Sequence, residues 1–152
     1  MSVRSPKNLN VLLHGYASLG LMIALAGIGF FVIAERSRLW AAVDLAAVGV
    51  GLVVLLWAFC AKCACRYTGC RHIIFGPLTK LLPKRESVPY TKTDLLFTTI
   101  GAFPLFIVPQ YWLFGKVPLL LLFWGVAAVL LAEITLFICK GCGNRHCPAC
   151  RA

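Results

Sequence analysis

The sequence predicts an all-α integral membrane protein: four transmembrane helices as two parallel-repeat hairpins, with short cytoplasmic Cys-rich segments after helices 2 and 4. Three observations carry this reading: an apolar excess, four stretches of spanning length without Lys or Arg, and the confinement of the cysteines to two windows. Of 152 residues, 61% are hydrophobic and 13% charged, with a mean hydropathy of +0.87. Soluble domains are about half apolar and about one quarter charged. A chain this short has too little interior to hide the surplus, whereas a bilayer accepts it as helices of about 20 apolar residues.

The spans are 9–33, 41–60, 95–114 and 117–139, and none contains Lys or Arg. They leave no room for a separate soluble unit, so residues 1–152 form one membrane domain. The first apolar stretch exceeds the roughly 7–15 residues of a signal-peptide core, which predicts a retained helix.

Orientation follows from Lys and Arg in the short loops, which concentrate on the cytoplasmic side. Arg4, Lys7, Lys62, Arg66, Arg71, Lys80, Lys84, Arg85, Lys92, Lys140, Arg145 and Arg151 fall on the side shared by the two termini and the middle loop. Only Arg36, Arg38 and Lys116 fall opposite. Both termini are therefore expected in the cytoplasm. The net charge of +10 is explained by this rule and by attraction to anionic headgroups of the lipid bilayer. No nucleic-acid partner is required.

In chain order, span one carries His14 about 7 Å inside its start. Small residues four apart allow close helix approach in lipid; Gly20/Ala24, Ala47/Gly51 and Ala128/Ala132 fit that spacing. The first hairpin turns at 35–40, with Trp40 at the interface. Asp44 lies near the outer end of span two, within reach of Arg36 or Arg38. The apolar, Lys80-bearing stretch 73–83 is too short to cross and reads as a segment on the inner membrane surface. Pro104 and Pro109 predict a kink or break in span three, since each lacks an N–H and clashes with the preceding turn. Tyr111 and Trp112 follow as interfacial aromatics. The second hairpin turns at Gly115 and Lys116. Span four holds Glu133 about 9 Å before Cys139. His14 and Glu133 thus share a depth in the cytoplasmic half, and intramembrane ionisable groups are functional candidates. The plainer reading leaves His14 neutral near the headgroups and Glu133 protonated or bonded to a neighbouring helix; the functional one has both face the bundle interior and interact, forming a short polar path toward the cysteine sites.

All eight cysteines fall in the Cys-rich segments 60–72 and 139–151. In a reducing compartment, clustered thiols are metal ligands or redox groups rather than disulfides. The first cluster is Cys60, Cys63, Cys65 and Cys70; the second is Cys139, Cys142, Cys147 and Cys150. The second contains two Cys-x2-Cys pairs, able to offer four thiolates to tetrahedral zinc, although their separation is shorter than in zinc ribbons. Cys142-x4-Cys147-x2-Cys150 also matches part of an iron–sulfur spacing. Zinc is therefore the first expectation and an iron–sulfur cluster the second. His72 and His146 are candidate extra ligands, and a single site shared by both clusters is the alternative to two.

There is no nucleophile elbow, phosphate-binding glycine loop or His-Glu-x-x-His, so catalysis by this chain alone is not expected. The sequence predicts a metal-binding membrane subunit whose cytoplasmic thiolate centres support complex assembly or electron transfer with a membrane or soluble redox subunit. A soft-metal-ion transporter and a thiol redox sensor are the alternatives.

Overall fold

The computed structural model describes residues 9–63, 70, 72–85, 89–139 and 147. Regular structure among them is helical: α1 (Leu9–Ala34), α2 (Arg38–Ala58), α3 (Phe75–Thr79), α4 (Lys92–Phe106), α5 (Gln110–Leu113) and α6 (Val117–Glu133). Among the described residues, four helical segments are long and apolar enough to cross a membrane: Leu9–Ala34, Arg38–Lys62, Lys92–Leu113 and Val117–Ile138. The second and third begin three residues earlier than their apolar cores, because polar capping residues open them. Ser37 accepts from the Trp40 N–H at 3.4 Å to start α2. Thr91 and Asp94 form a reciprocal capping box at the start of α4, satisfying N–H groups that lack an intrahelical partner.

Pro104 is accommodated inside α4, but the helix ends at Phe106 and resumes as α5 only after Ile107–Pro109. Of the two expected outcomes, kink or break, the chain takes the break. Gln110 bridges it: its amide donates to the Phe106 carbonyl at 2.8 Å, and its side-chain oxygen accepts from the Trp124 indole at 3.1 Å. The fourth span widens into a π-helical turn, Ile134–Ile138, immediately after Glu133. Thr135 back-bonds to the carbonyls of Leu131 and Ala132 there.

Helix pairing departs from two self-contained hairpins. α1 packs on α2, but the third span packs on α2 and the fourth on α1, while α4 and α6 scarcely meet. The lateral order is therefore α4, α2, α1, α6. Small residues set this order. A Cβ on Gly51 would lie 2.3 Å from the Gly101 carbonyl oxygen, and one on Gly101 would lie 2.5 Å from that of Gly51. Backbone contact this close requires glycine on both sides and holds α2 to α4. Gly29 similarly receives Pro109, whose ring would be 2.9 Å from an added Cβ. The pairs Gly20/Ala24 and Ala128/Ala132 instead face outward. Of the three small-residue pairs, only Ala47/Gly51 lies along a close helix crossing.

An apolar cluster of Leu25, Val32, Leu113, Phe123, Ala127 and Leu130 joins α1, α5 and α6. Bulky residues such as Phe31, Val50 and Leu121 point outward, as they do on lipid-facing helices. At the end carrying the two hairpin turns, Lys116 pairs with Glu35.

Candidate functional site

The cysteine end of the bundle is organised by the last turn of α2. After Ala58 the chain tightens into a 3-10 turn, Cys60–Lys62, closed by Cys63 N–H donating to the Cys60 carbonyl at 3.0 Å. The carbonyls that end a helix need donors from elsewhere. Here Tyr90 donates its hydroxyl to the Phe59 carbonyl at 3.0 Å, and Arg85 reaches the Ala58 carbonyl at 3.5 Å.

A buried ionic knot locks that arrangement. Lys62 lies 2.6 Å from Asp94 Oδ2, Arg85 lies 2.9 Å from Asp94 Oδ1, and both the N–H and the hydroxyl of Thr91 donate to Oδ2. Lys62 and Asp94 are almost fully buried. The Arg85 guanidinium also lies 4.3 Å from the Trp57 ring centroid, and the Phe59 and Tyr90 rings stack at 4.7 Å. The connection between the second and third spans is thus pinned against the end of α2, and the Cys60 turn is held with it.

Cys70 packs against Gly76, the second residue of α3. A Cβ on Gly76 would lie 2.9 Å from Cys70 Cβ and 3.3 Å from its Sγ, so a side chain there would displace the thiol. Helix α3 in turn lies against α2 and the Cys60 turn. Burial pushes the Cys70 thiol pKa up and Cys63 adds to the rise, while the His72 backbone N–H opposes it. Burial pushes the His72 imidazole pKa down. Both groups therefore favour their neutral forms. The His72 ring lies 5.9 Å from that of Phe75.

The second cluster contributes Cys139 and Cys147, both buried. The thiol of Cys60 lies within electrostatic reach of Cys70, Cys63 and Cys147. Cys147 of the second window therefore lies near Cys60 of the first, at one end of the bundle. Among the described residues, no three His, Cys, Asp or Glu side chains are grouped as ligands of one metal ion. Cys65, Cys142, His146 and Cys150 lie outside the described residues.

Deeper in the same half, His14 Nδ1 and Glu133 Oε1 meet at 2.5 Å across the α1–α6 contact. The Phe137 ring stacks on His14 at 4.2 Å, nearly parallel to it. Phe137 belongs to the π turn leading from Glu133 to Cys139, so one short segment supports both the intramembrane pair and the start of the second cluster.

Asp44 differs from its sequence-based expectation. It is buried, and among the described residues it forms no salt bridge with Arg36 or Arg38 and its Oδ1 has no hydrogen-bond partner. Sequence reasoning misses the knot: it gives Lys62 to the basic residues interleaved in the first cysteine cluster and Arg85 to the polar connection before span three, with no partner for either. The available signal was Thr91-x-x-Asp94, a helix-start pattern that placed a carboxylate opposite the basic loop. No protein family, curated protein or solved structure matches this chain.

Proposed function

We propose that this chain is a metal-binding membrane subunit whose thiolate centre, on the cytoplasmic side, draws ligands from both cysteine clusters and supports assembly with a partner subunit. The observation that carries the reading is the neighbourhood of Cys60, which includes Cys63 and Cys70 of its own loop and Cys147 of the C-terminal segment. Thiolates are soft ligands suited to zinc and to iron–sulfur clusters. Zinc would act as a clamp, tying the connection between spans two and three to the C-terminal segment and presenting a fixed surface for docking. Because metal binding requires deprotonated sulfur, uptake would release protons and strengthen as pH rises.

A redox-sensing role fits less well. Sensor thiols are exposed and have depressed pKa values, whereas Cys70 is half-buried and shifted upward. An iron–sulfur centre would convert the docking role into electron transfer.

Anaerobic purification with elemental analysis and an absorption spectrum tests the proposal. Stoichiometric zinc without visible charge-transfer bands supports the clamp, and iron with sulfide and visible bands supports electron transfer. Protein that is metal-free and takes up neither metal on reconstitution sinks the reading. Cobalt substitution then reads the ligand set: Cys147→Ser should weaken the thiolate charge-transfer band of a centre that also contains Cys60.

A further inference from the structure

The ionic knot at the cysteine end of the bundle is not electrically balanced. Lys62 and Arg85 bring two positive charges to Asp94, which returns one negative charge. Of the other described carboxylates, Glu35 pairs with Lys116 and Glu133 with His14, while Asp44 lies near the opposite end of α2. Glu86 lies outside the described residues. Withdrawing a charge from water is costly unless a partner of opposite sign compensates it. Among the described residues, the knot is therefore short of one anion.

Of its three charged members, only Arg85 is open to the outside. The side chains of Lys62 and Asp94 are 5% and 3% exposed, against 27% for Arg85. The Arg85 guanidinium contacts Asp94 and, at 3.5 Å, the Ala58 carbonyl, and it carries further N–H donors beyond those two contacts. Guanidinium donors match the geometry of phosphate oxygens. Lys84, the preceding residue, is exposed and adds a second positive charge.

Below Arg85 the surface turns aromatic and apolar. The guanidinium stands 4.3 Å from the Trp57 ring centroid, and Trp57 meets Phe97 edge-on at 6.1 Å across the contact between α2 and α4. Phe97 and its neighbour Leu96 are exposed. Trp57 is one residue before the end of α2. Phe97 is three residues beyond Asp94, about 5 Å deeper along α4. A cation at the helix ends above such a strip follows the order of a lipid, phosphate first and acyl chain beneath. A soluble anion would meet the charge and leave the strip unused. Basic sites between spanning helices are known to take anionic headgroups in this way.

We propose that Arg85, with Lys84, Trp57 and Phe97, forms a binding site for one anionic phospholipid at the cysteine-bearing end of the bundle. A zwitterionic lipid offers the same phosphate but cancels its charge internally, so it leaves the knot unbalanced. The site calls on no thiol.

The full chain in detergent is titrated with phosphatidylglycerol and, separately, with phosphatidylcholine. Native mass spectrometry reads bound lipid, and acyl-brominated forms of each lipid read proximity by quenching tryptophan fluorescence. The expected result is saturable phosphatidylglycerol binding, tighter than that of phosphatidylcholine by roughly tenfold, the scale of one or two basic residues acting on an anionic headgroup. Arg85→Gln should abolish the preference. Brominated phosphatidylglycerol should quench more than brominated phosphatidylcholine, and Trp57→Phe should remove the excess. Equal affinities overturn the proposal and point to Glu86 as the counter-charge. A preference that survives Arg85→Gln, or excess quenching that survives Trp57→Phe, overturns it as well. Should Arg85→Gln fail to fold, Lys84→Glu serves instead, since Lys84 is outside the knot: phosphatidylglycerol affinity should fall by roughly fivefold or more, and an unchanged affinity counts against the site. Cys147→Ser should leave the preference intact, which keeps this test separate from that of the thiolate centre; its loss there would assign the effect to the thiols instead.

Discussion

Replacing Gly51 with Ala isolates the contact that fixes helix order. A Cβ at Gly51 would lie 2.3 Å from the Gly101 carbonyl oxygen, where real Cβ contacts essentially never fall below 3.0 Å. The obstacle is backbone, so no rotamer change relieves it and α2 must move away from α4. Overpacking of this kind costs about 1–3 kcal/mol, and the rigid partner puts Gly51 near the upper end. Alanine returns up to about 1 kcal/mol of helix propensity, leaving a net loss of about 2 kcal/mol, or about 5 °C in unfolding midpoint for a chain of this length. Gly49 is the control, because it lies in the same helix with nothing within 4 Å of an added Cβ. Gly49→Ala should be neutral or slightly stabilising, which separates the two variants by about 2–3 kcal/mol in total. Thermal unfolding of both variants in one detergent provides the comparison. Equal midpoints would refute the claim that backbone contact between Gly51 and Gly101 holds the second and third spans together.

Three further outcomes follow from the same structure. Asp94→Ala strands the buried Lys62 and should cost about 3–5 kcal/mol, whereas Lys62→Met combined with Asp94→Leu should cost clearly less; similar losses in thermal unfolding would show that the ion pair is not what matters. Cys70 has a raised pKa, so its stabilising contribution is complete below the ordinary thiol range and is lost as pH rises through the folded value. In chelator-treated protein, its alkylation should be slow at neutral pH and accelerate in alkali, and Cys70→Ser should remove part of the alkaline loss of stability; fast neutral alkylation contradicts this environment. A double-mutant cycle of His14→Phe and Glu133→Gln should give a coupling of about 1 kcal/mol, and additivity would mean that the pair contributes nothing.

The spans were legible because the bilayer imposes one strong constraint: a backbone in hydrocarbon must satisfy its own hydrogen bonds, so length and apolarity identify the helices. Pro104 and Pro109 were visible as a disturbance, but their severity depended on neighbours. Gly29 accepts the Pro109 ring and Gln110 bonds the loose Phe106 carbonyl. The pairing of α2 with α4 was hidden, because Gly101 has no small partner four residues away to mark it. Small-residue spacing read along one helix says nothing about the face it presents, and two of the three spaced pairs face outward. The capping-box pattern at Thr91 was written in the chain, but the ionic knot required Lys62, Arg85 and Asp94 to converge from three different segments.

By itself the sequence determined the solvent, the approximate spans and the grouping of thiols into two windows, because those properties are sums over contiguous residues. Tertiary structure decided what lies beside what: His14 on Glu133, Cys147 near Cys60, and Asp44 buried with an oxygen unpaired. Such meetings depend on helix rotation and lateral order, which are set by a few backbone contacts at glycine and proline. Local composition carries no information about that geometry.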